Sequence, residues 1–191
     1  RRALMSYEVG KKALDFLIAN SGSRRNLEVD FFGGEPLMNW QVVKDLVAYG
    51  REQEKLHNKR FRFTLTTNGV LLQDNLEALK KAGLDGINIS LDTLDREKYQ
   101  EITGTDACET VRQAVAAAAE SGIRTKVNTV LQSDGDKTEW KALITLAESL
   151  PVDVRFIELM PIGYGKENTG VSNLELLDEI RKVYPDIRKD S

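Results

Sequence analysis

The residues that could do chemistry in this 191-residue chain sit at the ends of successive apolar runs. In Asp30-Phe31-Phe32-Gly33-Gly34-Glu35-Pro36 one such run stops at two glycines, an acid and a proline. Paired glycines let backbone approach a ligand more closely than side-chain-bearing residues allow, and proline fixes the direction in which the chain leaves. A carboxylate at the mouth of a buried sheet needs a cation or hydrogen-bond donors, so Glu35 suits a ligand bearing an ammonium group. The same tetrapeptide also reads as a plain strand-to-helix turn with a solvated acid. Further along, Thr66 to Gly69, Ser90 with Asp92, Lys126 with Asn128, and Glu158 with Met160 bring polar or unusual residues to other strand ends. A lysine suits an anion such as phosphate, and a strand-end threonine can donate to a ligand oxygen.

The elements that must position these groups alternate. Strands are expected over Leu27 to Phe32, Phe61 to Thr67, Gly86 to Asp92, Arg124 to Leu131 and Val152 to Met160, each separated from the next by a helical pattern. Before the first strand, Ser6 can cap a helix with an apolar stripe of Val9, Ala13, Leu14, Phe16 and Leu17. Asp74 with Glu77, and Ser172 with Glu175, have the spacing of a capping box, and Asp95 and Thr138 are further helix starts. Alternating strands and helices imply a parallel sheet. So many strands sending polar groups to one rim favours a curved sheet, hence a barrel or an incomplete barrel of α/β class. A repeating strand–helix chain that opens on a helix lacks its first strand, so the expectation is one domain over residues 1–191, truncated at both ends.

Composition narrows the partners. The net charge is −3, with 27 Lys and Arg spread among 30 Asp and Glu, which leaves no field for nucleic acid or a membrane surface. No apolar run reaches the roughly 18 residues of a membrane span, and a cytoplasmic location with a small-molecule ligand is expected. The single Cys108 cannot form an internal disulfide or, by itself, a zinc or iron–sulfur site, and reads as a core filler in an alanine-rich helix. His57, the only histidine, lies among Lys55, Lys59 and Arg60 and reads as surface. The Gly163 to Gly170 loop has Glu167 after Lys166 where a phosphate-binding loop needs Ser or Thr, which rejects that motif.

Taken together, Phe32-Gly33-Gly34-Glu35-Pro36, Thr66-Thr67-Asn68-Gly69, Asn88-Ile89-Ser90-Leu91-Asp92 and Lys126-Val127-Asn128 resemble the radical S-adenosylmethionine superfamily. From Thr66 onward, through Ile102-Thr103-Gly104 and Arg155-Phe156-Ile157-Glu158-Leu159-Met160, the chain looks like the GTP 3',8-cyclases of molybdenum cofactor biosynthesis. Residues 1–65 look more like the peptide-modifying maturases of the same superfamily. The resemblance implies a partial (β/α)6 barrel of the TIM type with its first strand missing, and a lyase activity in the intact enzyme. It assigns Gly33, Gly34, Glu35, Ser90, Asn128 and Met160 to S-adenosyl-L-methionine, with Gly34 and Glu35 at the methionine amino group and Met160 near the adenine. Thr66 and Lys126 match positions that contact GTP. Three residues before the double glycine the cyclases have an arginine that contacts GTP, and here the residue is Asp30, whose charge opposes a triphosphate. The three-cysteine loop that carries the 4Fe-4S cluster in this superfamily is not in the chain, so the polypeptide as given is expected to be inactive and an external electron donor is implied for the intact protein. The competing expectations are a peptide-maturase fragment, a non-catalytic barrel that binds nucleotide or S-adenosyl-L-methionine, and, more remotely, a phosphate-binding aldolase or isomerase.

Overall fold

The computed structural model describes residues 4–132, 138–160 and 170–188. Five strands, β1 (Asn26–Phe31), β2 (Arg60–Thr67), β3 (Gly86–Ser90), β4 (Arg124–Thr129) and β5 (Val152–Phe156), form one sheet in the order β1-β2-β3-β4-β5. Every neighbouring pair is parallel. Strands joined in strict sequence order, with helices on one side only, have barrel topology; an open doubly wound sheet would reverse its order part-way. The structure is therefore an α/β partial barrel, as the rim of polar strand ends implies.

Helix α1 (Tyr7–Asn20) precedes β1, and α2 (Trp40–His57) and α3 (Leu72–Ala82) follow β1 and β2. Two helices, α4 (Arg96–Thr103) and α5 (Cys108–Glu120), connect β3 to β4, while α6 (Glu139–Ser149) precedes β5 and α7 (Asn173–Val183) follows it. Their apolar faces meet one face of the sheet. Leu27, Phe31, Phe61, Phe63, Leu65, Ile87, Ile89 and Val127 are buried there with Val43, Leu46, Leu79 and Val111. A second cluster joins α6 and α7 through Leu131, Trp140, Leu143, Leu176 and Ile180.

The opposite, concave face is polar throughout. Alternation along each strand puts Glu28, Asp30, Arg62, Thr64, Thr66, Asn88, Ser90, Lys126, Asn128, Asp153 and Arg155 on it, half-buried or exposed. The parallel register sets them in rows: Thr66 beside Asn88, Asn88 beside Lys126, Lys126 beside Asp153, and likewise Ser90, Asn128 and Arg155.

Several local expectations need correcting. In α1 the buried residues are Gly10, Leu14 and Ile18, while Val9 and Phe16 are exposed. A Cβ on Gly10 would lie 2.3 Å from Leu46 Cδ1, so close approach of α2 at Gly10, rather than the longest apolar stripe, sets the rotation of α1. Helix α3 begins at Leu72 without a side-chain cap, which leaves Asp74 in its first turn. The third, fourth and fifth strands end at Ser90, Thr129 and Phe156, earlier than expected, so Asp92 and Met160 lie in the loops beyond them. Ser6, Asp95 and Ser172 do cap their helices. Within the expected loop from Gly163 to Gly170, residues 163–169 lie outside the described residues.

Candidate functional site

Gly33 and Gly34 follow β1 with φ of 98° and 59°, left-handed values that cost an L side chain energy, which explains the glycine pair. Pro36 then starts a short 3-10 turn, Pro36–Asn39. Glu35 caps that turn: its Oε1 accepts from Leu37 N at 3.0 Å and from Thr67 Oγ1 at 2.9 Å. Its Oε2 accepts from the same hydroxyl at 2.9 Å and from Asn68 N at 2.9 Å. Thr67 Oγ1 in turn accepts from Gly69 N at 3.0 Å. One carboxylate thus ties the loop after β1 to the loop after β2. The donors that Glu35 requires come from the chain itself, and the side chain is directed to the end of β2 by way of buried Thr67, whereas Ser90 lies on the open face.

Thr66, Ser90, Lys126 and Asn128 share the concave face. Asn128 Oδ1 is buried and has no hydrogen-bond partner among the described residues. A buried carbonyl oxygen without a donor is costly, and this one lies in register with Ser90, so it is a ready acceptor for a ligand N–H or O–H. Lys126 has its pKa lowered by burial first and then by Arg155, Arg124 and Arg62, a gathering of positive charge that Asp153 only partly offsets. Arg62 pairs with Glu28 at 3.5 Å and Arg124 with Asp153 at 3.1 Å. Among the described residues no ion pair is formed by Lys126 or Arg155. Asp30 is exposed on the same face and accepts from the hydroxyls of Thr64 at 2.9 Å and Thr66 at 3.0 Å. Met160 is exposed, four residues past β5. A cavity of about 410 Å³ lined by Glu28, Arg60, Arg62 and Arg124 lies at the amino ends of the strands, away from the rim.

Sequence reasoning passed over Arg155 as a site residue, although its place on the concave face follows from strand alternation. It left Asp92 as a strand-end residue. Asp92 accepts from Val130 N at 2.8 Å and is half-buried, and burial, aided by Glu139, raises its pKa above the ordinary 3.8. A carboxyl whose native pKa is raised binds protons more tightly when folded, so its ionisation lowers stability as pH rises from the unfolded value through the native one. Asp92→Asn keeps an acceptor for Val130 and removes that cost. The variant should be the more stable at pH 7 and should lose its advantage near pH 4, as urea unfolding at the two pH values would show.

Cys108 is buried, with Sγ 3.6 Å from the Leu94 carbonyl, and burial raises its thiol pKa; this is packing rather than nucleophile chemistry. His57 is exposed at the end of α2. Among the described residues no cluster of His, Cys, Asp and Glu could hold a metal ion, and no helix is long and apolar enough to cross a membrane.

A parallel sheet in strict strand order, with helices on one side, a glycine-rich first rim loop and a polar concave face, is a partial barrel of the TIM type. The chain belongs to the radical SAM superfamily, whose family model matches residues 5–147. It is 41% identical over 155 residues to a GTP 3',8-cyclase of Clostridium perfringens, covering 81% of this chain and 46% of that protein. It is 40% identical over 160 residues to human molybdenum cofactor biosynthesis protein 1, covering 82% and 24% respectively. The chain thus spans less than half the length of these relatives. Similar solved structures include anSMEcpe with bound AdoMet and a peptide, at TM-score 0.70 and 16% identity over 96% of this chain and 52% of that one. Another is Streptococcus suis SuiB bound to precursor peptide SuiA, at TM-score 0.70 and 18% identity over 97% and 40%. At such identities the likeness is one of fold.

Proposed function

We propose that this chain is the S-adenosyl-L-methionine-binding core of a radical SAM lyase of the GTP 3',8-cyclase kind. The observation that carries the reading is the buried Asn128 Oδ1, in register with Ser90 on the concave face and without a hydrogen-bond partner among the described residues. Ser90 can donate or accept and Asn128 accepts, which suits hydroxyl and amine groups of that cofactor. The left-handed Gly33-Gly34 backbone, next to the Glu35 that ties this loop to the end of β2, suits its amino acid portion. A bound 4Fe-4S cluster would supply the electron that such chemistry requires, and the residues of this chain do not fit it: the one cysteine is packed in the core. On this reading the chain alone binds the cofactor without cleaving it. Saturation-transfer NMR with millimolar S-adenosyl-L-methionine is expected to show binding that Asn128→Leu weakens at least about fivefold, the loss of one hydrogen bond to a buried acceptor. Equal binding by wild type and variant would remove Asn128 from the site, and no binding to either would support a scaffold without cofactor.

Substrate choice turns on charge. Lys126 and Arg155 favour a polyanion, and Asp30, on the same open face, opposes one; unit charges about 4 Å apart in a partly buried site interact by roughly 4 kcal/mol. GTP binding to the cluster-reconstituted full-length protein is therefore expected to be weak, strengthened severalfold by Asp30→Asn, which removes the charge and keeps an acceptor for Thr66, and weakened further by Lys126→Ala. Asp30 is also the observation that favours a second reading, a peptide substrate, which undetectable GTP binding in all three proteins would support.

A further inference from the structure

The concave face contains a hydrogen-bonded line that runs diagonally across the sheet from Asp30 on β1 to Arg155 on β5. Thr66 Oγ1 donates to Asp30 Oδ2 at 3.0 Å, Asn88 Nδ2 donates to Thr66 Oγ1 at 3.1 Å, and Arg155 Nη2 donates to Asn88 Oδ1 at 2.8 Å. Its direction is unique. A carboxylate only accepts and a guanidinium only donates, so with Asp30 at one end and Arg155 at the other each intermediate group can face only one way. Thr66 must spend its single proton on Asp30, which leaves its lone pairs for the Asn88 amide hydrogens and turns the Asn88 carbonyl toward Arg155.

We infer that Asp30 is a positioning residue: through Thr66 and Asn88 it orients the amide that holds the Arg155 guanidinium on the floor of the concave face, beside Lys126. The inference rests on the reading above only in taking Arg155 and Lys126 as the anion-facing pair; the relay itself stands on geometry. It also answers an electrostatic question. Arg155 is held close to Lys126, against the mutual repulsion that helps to lower the Lys126 pKa, and no carboxylate among the described residues pairs with it. A charge-assisted hydrogen bond to an amide that cannot rotate away supplies the restraint. Direct attraction by Asp30 does not: the Arg155 guanidinium, although it reaches from β5 across to Asn88 on β3, is still two strand spacings from β1, about 10 Å, at or beyond the Debye length in physiological salt.

The relay and a simple charge effect make opposite predictions for two variants of similar size. Asp30→Asn removes the charge and keeps an acceptor for Thr66; Asp30→Leu removes both. Carbon-detected NMR of the arginine side chains, with Arg155 assigned by its loss in Arg155→Lys, reads rotation about the Arg155 Nε–Cζ bond in the chain without any ligand. Rotation should speed up about tenfold in Asn88→Leu, where the charge-assisted bond is lost outright, and severalfold in Asp30→Leu, and stay near wild type in Asp30→Asn. A Lys126 pKa that rises in Asn88→Leu and Asp30→Leu but not in Asp30→Asn is the second readout, since a released Arg155 withdraws from Lys126. Thermal melts of all variants separate these effects from general destabilisation. Equal acceleration in Asp30→Asn and Asp30→Leu would show a charge effect and overturn the relay. Unchanged rotation in Asn88→Leu would show that Arg155 is not held there at all. Failure of GTP binding would bear on the substrate and leave these readouts in place.

Discussion

Glu35→Ala should unfasten the rim. Three donors, the amides of Leu37 and Asn68 and the hydroxyl of Thr67, converge on this one carboxylate, and alanine leaves all three to find water at the end of a strand. Hydrogen bonds to a charged group contribute about 1.5–3 kcal/mol each where buried, and these sites are only partly so, which puts the expected loss at about 3 kcal/mol. Urea unfolding measures the loss, and hydrogen exchange should accelerate at the Leu37 and Asn68 amides ahead of those in the strands. Glu35→Gln should be nearly as harmful: every partner is a donor, so the glutamine amino group would face an N–H or O–H whichever way it turned. A glutamine variant as stable as wild type would show that the carboxylate is not the clamp.

Phe63→Ala should be the most damaging single truncation beneath the rim, at about 4 kcal/mol in chemical denaturation. Phe63 is fully buried, with ring centroids 5.2 Å from Phe61 and 6.0 Å from Phe31, and the Arg51 guanidinium lies 5.1 Å from its ring. Its far edge touches helix α2 at Gly50, where an added Cβ would lie 2.3 Å from Phe63 Cζ. Gly50→Ala should therefore cost about 2 kcal/mol through overpacking, although alanine favours a helix. Combined with Phe63→Leu, which vacates that space, the two changes should cost less than their sum, as expected of side chains sharing one volume. Strict additivity would mean that α2 shifts to accommodate the methyl group.

Much of this was legible in the residues. Strand alternation put Lys126 and Asn128 on one face and Val127 and Thr129 on the other, and the polar strand ends announced the rim. What the pattern could not show is which partner meets a given group. Glu35 reads as an acid in need of a cation, because nothing near it in sequence reveals that Thr67 and Asn68 supply its donors after more than thirty residues of intervening chain. Asp30 likewise reads as a bare charge opposing a polyanion until the register of β1 on β2 places two threonine hydroxyls beside it. In α1 the apolar residues were visible but the rotation was not, since a glycine contributes nothing to an apolar stripe and yet marks the closest approach of two helices.

The strict strand order also bears on how such a chain can be assembled and altered. Each strand pairs with the one before it after roughly 20–40 intervening residues, so every pairing closes a loop of comparable entropy and no strand must insert between two already joined. Exchanging one strand–helix unit disturbs two seams and leaves the remaining registers intact. The seam between β1 and β2 is crossed by Glu35 and by Asp30, so an exchanged first unit would have to keep their partners Thr67, Thr64 and Thr66.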